Sequence, residues 1–319
     1  MRSLRGRLNS LINNGVEYYL RNYKKMVFIP LVFIIFFAGV IALHYYQHGS
    51  PVNPDISLAG GISLVLNTNH SMPVSVITSN LSAALKTEIS VSILHPQFSN
   101  AIAGYTITAG KSVNSTQLSN AVSKLFGIKL TSKNSSVTFV SAALAQSAIY
   151  DSILLLGIAF LLVAMVSIFY FRNPVQAFSN VISIVSDIIN VVGVIDILGL
   201  GFSTASIAGI LMIMGYSADR NIILATNILK REEASMKYRL VHTIKTSLTM
   251  DAAALVTFII LFVGTTNPVI QSIAIILIIG VIFDDFAVWI LNGSVQLAGT
   301  GYKAEPKPAA QTAEANNGH

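Results

Sequence analysis

Charge is what this chain has least of. Only 11% of its 319 residues are Asp, Glu, Lys or Arg, against about 25% in an ordinary soluble domain. A domain in water needs a charged skin, whereas a chain immersed in lipid needs the opposite. Cysteine is absent, which excludes disulfides, thiol chemistry and thiolate metal sites. Also missing are a Walker-type phosphate loop, an H-E-x-x-H pair and a G-x-S-x-G elbow. His44, His48, His70, His95, His242 and His319 fall at no metal-ligand spacing. No cofactor, metal or enzyme activity is therefore expected. The formal charge of +6 raises nucleic acid as a partner, but the basic residues gather at the ends of apolar runs. That placement fits a membrane better and leaves no nucleic-acid partner.

What is present is long apolar runs. A bilayer core of roughly 30 Å takes about 20 apolar residues as a helix. Six stretches qualify, at about 26–46, 150–171, 178–198, 204–229, 248–264 and 268–292. Residues 1–25 are basic, but the run that follows lacks a small-residue cleavage site, so we read it as a retained first span. Arg2, Arg5, Arg7, Arg21, Lys24 and Lys25 precede span one, and Arg172 separates spans two and three. Lys230, Arg231, Lys237, Arg239 and Lys245 lie between spans four and five, and the other short connections carry no charge. The expected localisation is a multi-pass protein of the cytoplasmic membrane with both termini cytoplasmic and the polar segment outside.

That segment, residues 47–149, alternates in a readable way. Strands are expected at 62–66, 90–94, 104–108 and 136–140, and helices at 75–87 and 116–126. The order β-α-β-β-α-β is that of a ferredoxin-like domain. The expected fold is thus an α-helical polytopic membrane protein with six transmembrane helices and one extracytoplasmic α+β domain between helices 1 and 2. A basic cytoplasmic segment (1–25) precedes it, helices 2–6 fill 150–293, and 294–319 reads as a disordered cytoplasmic tail. Residues 13–23 suit either an interfacial helix or a plain lead-in. Four N-x-S/T sequons, at Asn69, Asn80, Asn114 and Asn134, permit glycosylation; chance in an Asn- and Ser-rich segment explains them equally.

A few acids remain where acids are expensive. A carboxylate at mid-bilayer costs a few kcal/mol or more, yet Asp187, Asp219, Arg220, Asp284 and Asp285 all fall inside spans. Counted from the cytoplasmic helix ends at roughly 1.5 Å per residue, Asp187, Asp219 and Asp284 lie within about 3 Å of one level. We therefore expect a shared polar interior, or a face toward a partner's helices. One reading is a proton or cation relay; the other is a latch in which Arg220 neutralises Asp219 or Asp187. Asp285 is expected to face elsewhere, and Asp151, Asp196 and Asp251 to be solvated residues at span ends. Gly209, Gly215, Ala205, Ser206 and Ala208 make a small-residue face on span four, suited to close helix packing or to a sliding contact. Gly60-Gly61 marks a turn or bulge at the entrance to the outer domain, with a grip on a substrate chain as the sharper alternative.

Four stretches carry a resemblance. Gly199 to Gly209, running on through Gly215-Tyr216-Ser217-Ala218-Asp219, resembles the fourth-span signature of SecD and SecF proteins. Lys245 to Met250 is similar to the opening of that family's fifth span. Gly280, Asp284, Trp289 and Asn292 match the sixth-span pattern of archaeal SecF. Asp55 followed by Gly60-Gly61 looks like the entry to the first outer domain. Arg220, Asn221 and Ala287 depart from the pattern, which usually has a small residue, a second acid and an Asn there. The resemblance implies a non-enzymatic accessory subunit of the Sec protein translocase. It would pair with SecD beside a SecYEG-like channel and use an ion gradient to promote export of unfolded preproteins across the bilayer. It assigns ion coupling to Asp219, modulated by Arg220, Asp187 and Asp284. About 100 outer residues favour SecF over SecD, whose outer portion is larger. A half-size small-molecule or lipid exporter of the resistance-nodulation-division superfamily is the alternative, and a purely structural assembly factor a third. An intramembrane aspartyl protease is disfavoured, because its Gly-x-Gly-Asp and Tyr-Asp elements are missing.

Overall fold

The computed structural model describes residues 2–87, 89–94, 103–110, 112–229, 234–265 and 267–303. Six helices are long and apolar enough to cross a membrane. They are α2 (Phe28–His48), α6 (Ala142–Phe171), α7 (Pro174–Ile197), α8 (Thr204–Leu229), α9 (Met236–Gly264), and α10 (Pro268–Asp285), which runs on through a π-helical turn (Phe286–Asn292) into α11 (Gly293–Gly299). α1 (Arg2–Met26) precedes them and buries Val16, Tyr19, Leu20 and Tyr23 against α8, α9 and the end of the sixth span. Most span boundaries fall near those read from the sequence, with two differences. The second span begins at Ala142 because Ser141 caps it, its hydroxyl accepting from Leu144 N at 3.2 Å. The fifth begins at Met236, so the charged stretch before Leu248 is helix rather than loop. The chain beyond 293 also continues as helix to Gly299. Lys230, Arg231, His95 and most of the expected tail (304–319) lie outside the described residues.

Between α2 and α6 stands a small α+β domain. A short helix, α3 (Ile56–Ala59), leads into β1 (Gly61–Asn67), α4 (Val74–Leu85), β2 (Ile89–Leu94), β3 (Gly104–Ala109), α5 (Ser115–Phe126) and β4 (Ser135–Val140). The sheet runs β2-β3-β1-β4 with every pair antiparallel, the split β-α-β arrangement expected. Its core is wholly apolar in character: Ile62, Leu64, Leu66, Ile77, Leu81, Ile107, Leu118 and Val122 are buried with Tyr105. The Tyr105 hydroxyl donates to the Met72 carbonyl at 2.9 Å and accepts from the Met72 amide at 2.7 Å, so its own polar atom is satisfied. Gly61 has a φ of 139°, and a Cβ there would stand 2.4 Å from the Ala109 carbonyl oxygen. The β1–β3 pairing therefore needs glycine at this site. Two of the sequon asparagines do local work. The Asn114 amide is received by Gln117 at the start of α5, and the Asn134 side chain closes the turn before β4.

The domain is rooted in the bundle at both ends. Behind β4 the chain enters α6 at once. In front of β1 the backbone is stitched to the α7–α8 connection: Phe202 N donates to Asn53 O at 2.7 Å, and Asp55 N to Phe202 O at 2.8 Å. Thr204 N adds a bond to Ser57 Oγ at 3.1 Å.

Within the bundle, α8 and α10 approach closely through reciprocal glycines. A Cβ on Gly209 would meet Ile276 at 2.8 Å, and one on Gly280 would meet Ile213 at 2.4 Å. Each isoleucine fills the gap left by the opposite glycine. The small-residue face read from the sequence thus divides. Ala205, Ser206 and Gly209 pack inside the chain, whereas Ala208 and Gly215 lie on its outer face.

Candidate functional site

That close approach sets Arg220 of α8 among carboxylates from two neighbouring helices. Its guanidinium reaches Asp284 Oδ2 at 2.6 Å and Asp251 Oδ2 at 3.2 Å, and pairs with Asp285. Nε donates to Ser247 Oγ at 3.1 Å, and the Tyr216 ring lies beside the cation, 5.7 Å from its centre. The Tyr216 hydroxyl donates to Asp251 Oδ1 at 2.6 Å, and the Ser217 hydroxyl to Asp187 Oδ2 at 2.7 Å. Asp187 and Asp284 are fully buried and are electrostatic neighbours. Among the described residues, one guanidinium therefore pairs with three carboxylates, Asp251, Asp284 and Asp285, and a fourth, Asp187, lies beside Asp284.

A polar seam continues from this cluster along the inner face of α7. Ser179, Asn180, Ser183, Ser186, Asp187 and Asn190 are all buried. Their spacing of three and four residues puts them on one helix face, rising about 16 Å over eleven residues. The seam crosses to neighbouring helices through Asn292, whose amide donates to Asn221 while its oxygen accepts from Ser179 and Gln296. Asn180 donates to Ser167 of α6. Five buried atoms on this line have no hydrogen-bond partner among the described residues: Asn180 Oδ1, Ser183 Oγ, Asp187 Oδ1, Asn190 Oδ1 and Asp284 Oδ1. Buried polar atoms are normally partnered by protein or ordered water. A file of unmet acceptors and hydroxyls is what a water-bearing seam requires. The π-helical turn occurs beside it, immediately after Asp285, and places Asn292 in the seam.

The sequence-read residues separate sharply. Asp187, Arg220 and Asp284 come together. Asp219 does not: it lies exposed on the opposite side of α8, with no hydrogen-bond or ion-pair partner among the described residues. Depth along a helix says nothing about azimuth, and Asp219 is turned 100° from Arg220. Its face is Ala208, Met212, Gly215 and Asp219, all exposed. A latch between Arg220 and Asp219 is thereby excluded. Asp285 pairs with Arg220 rather than facing elsewhere. Asp251 is buried in the cluster rather than solvated, since α9 begins twelve residues before the apolar run. Asp196 also leaves the boundary class: its carboxylate meets His44 Nδ1 at 2.7 Å. Of the motif residues, Tyr216 and Ser217 orient two carboxylates, Asn292 joins the seam, and Trp289 packs at the α1 end of the bundle. Gly60 and Gly61 act through the backbone. Asn221, where the family pattern has an acid, is buried between Ser217 and Asn292. Sequence reading missed Asn190 and the α7 serines, whose signal was polar spacing inside a span, and Ser247, which stands one residue before the apolar run.

Residues 120–299 match the family model described as "Protein export membrane protein SecD/SecF, C-terminal". The chain is 29% identical over 275 residues to the protein-export membrane protein SecF of Thermococcus gammatolerans, covering 85% of this chain and 84% of that one. It is 27% identical over 282 residues to SecF of Methanocaldococcus jannaschii, covering 86% and 95%. Its fold matches a crystal structure of SecDF, a translocon-associated membrane protein from Thermus thermophilus. The TM-score is 0.67 at 17% identity, over 89% of this chain and 38% of that longer one. A super-membrane-facing form of SecDF gives 0.54.

Proposed function

The chain belongs to the SecD/SecF family of protein-export membrane proteins, and we propose that it is a SecF-type accessory subunit that couples ion movement to preprotein export. The observation that carries this reading is the excess of acid: three carboxylates pair with one guanidinium, and a fourth, Asp187, is buried beside Asp284. A buried pair can be balanced, but with Asp187, Asp251 and Asp284 all buried around one cation, the surplus carboxylates cannot all stay ionised in a low-dielectric interior without taking up cations. Protons are the smallest such cations, and two facing carboxylates can hold one between them.

In this reading Asp187 and Asp284 exchange protons along the α7 seam. Uptake at Asp284 loosens the tie that Arg220 makes to α10, and uptake at Asp187 weakens its bond from Ser217 of α8. A charge crossing the membrane potential supplies about 2.3 kcal/mol per 100 mV, which matches a two-state packing whose states differ by a few kcal/mol. The α7–α8 connection passes the change to the outer domain, which acts on the emerging preprotein beside a SecYEG-like channel. Both termini lie in the cytoplasm. Asp219, with Ala208, Met212 and Gly215, faces the partner subunit SecD, so its ion-coupling role is exercised across that contact rather than inside this chain.

The test is preprotein translocation into vesicles carrying SecD and this chain, with and without a membrane potential. Asp187→Asn and Asp284→Asn should each abolish the stimulation by the potential while leaving the basal rate. Full stimulation in both variants would sink the relay. Loss of basal and stimulated export together, with normal assembly, would instead favour a purely structural subunit.

A further inference from the structure

A second feature lies away from the carboxylate cluster, where the first span begins. The end of α1 and the residues after α11 border an open cleft of about 370 Å³, lined by Arg21, Asn22, Tyr23, Lys24, Lys25, Tyr302 and Lys303. Four of these are cations, and no acid among the described residues lines the cleft. Its walls are fixed to each other: the Tyr23 hydroxyl donates to the Tyr302 carbonyl at 3.1 Å, and the two rings meet edge to face with centres 6.4 Å apart. Glu17, one turn before Arg21, is already engaged. It accepts from Arg21 at 2.6 Å and from Lys237 at 2.8 Å, and these cations, Lys237 foremost, hold its carboxyl below the usual range. Lys24 rests near the Tyr23 ring at 6.0 Å. Among the described residues no carboxylate pairs with Lys24, Lys25 or Lys303.

Position completes the argument. Val27 alone separates α1 from α2, and Phe28 opens an apolar span, so Lys24 and Lys25 sit where hydrocarbon gives way to headgroups. Cations at that level suit a phosphate oxygen, the ammonium groups neutralising it and the tyrosine rings bounding it. We propose that this cleft binds a phosphate-bearing anion, supplied by an anionic lipid headgroup or by free phosphate, and that the bound anion clasps α1 to the end of the sixth span. The site is independent of the ion relay.

The experiment uses the full chain in nanodiscs of phosphatidylglycerol and phosphatidylcholine, followed by native mass spectrometry of retained lipid. Each lysine that reaches the bound anion is worth about fivefold in affinity. Lys24→Gln with Lys303→Gln should therefore weaken phosphatidylglycerol retention by about 30-fold. The matched pair Arg172→Gln with Lys245→Gln removes the same charge elsewhere on that side of the bundle and should leave retention unchanged. A phosphorus-31 NMR titration in lipid-free detergent separates the sources. Inorganic phosphate binding that the first pair abolishes assigns a free anion, and its absence alongside selective lipid loss assigns the headgroup. Equal loss of lipid in both pairs, or loss in neither with no phosphate binding, overturns the site.

Discussion

The outer domain and the membrane bundle are built on opposite plans. In the outer domain Leu64, Ile107, Leu118 and their neighbours are inside and Ser, Thr and Asn are outside. In the bundle Asp187, Arg220, Asn190, Asn221 and Asp284 are inside, while α6 presents Phe169, Leu161 and Ile153 at 74%, 65% and 67% exposure. The same physics gives both, because each puts toward its solvent what that solvent tolerates. In the domain, stability and interior coincide: its buried groups are there because they gain from burial. In the bundle the interior holds groups that lose by burial and persist only through one another. An interior of that kind can change state when one member changes charge.

The contrast can be broken at several points. The largest effect is expected at Arg220. Its replacement by Met leaves buried carboxylates without their cation, a loss of about 3–5 kcal/mol or more, and should remove the protein from the membrane fraction. Adding Asp284→Asn and Asp285→Asn should restore its abundance but not its response to potential. If the triple variant stays as depleted as the single, charge balance is not what holds the cluster.

Leu64→Ala should cost about 2–5 kcal/mol by cavity formation. Hydrogen exchange should quicken in β1, β3 and β4, while the amides of α8 and α10 keep their protection. Spread of the change into α10 would mean that the two regions are one cooperative unit. Gly280→Ala should cost about 1–3 kcal/mol through collision with Ile213. Ile213→Val in the same chain should recover part of it in a thermal shift assay.

Asp219→Asn should leave the thermal midpoint of the isolated chain unchanged and weaken co-purification with SecD. A shifted midpoint would place that carboxylate inside the fold after all. Smallest is Glu17. Its carboxyl is held low, so its tie to Lys237 is present above the ordinary carboxylate range and is lost as pH falls through the lowered value. Exchange at the end of α1 should rise only in strong acid, and Glu17→Gln should remove that dependence.

How much of this was legible follows from the same contrast. The outer strands were read to within a residue or two because alternation with period two reports a sheet face directly. Spans were found by length and apolarity, which is all the bilayer demands. The cluster was only partly legible. Asp187 and Asp284 announce themselves as acids in apolar runs, but Asp251 hides behind Lys245, whose charge made the start of α9 look like a loop. The Gly-Tyr-Ser motif beside Asp219 serves Asp251 and Asp187 instead, through Tyr216 and Ser217. The stripe Ser217, Arg220, Asn221 and Leu224 lies on one helix face and Asp219 on another. That geometry was available from the spacing alone.

The stitch between Asn53–Ser57 and Phe202–Thr204 has a mechanical consequence. A domain held only where its chain enters and leaves the membrane would swivel freely, and motion of the helices below would be lost in slack. Here the outer domain stands on two feet, one continuous with α6 and one pinned to the loop that joins α7 to α8. Sliding of those helices against α6 becomes a tilt, as a seesaw turns a small displacement near its pivot into a larger one at its tip.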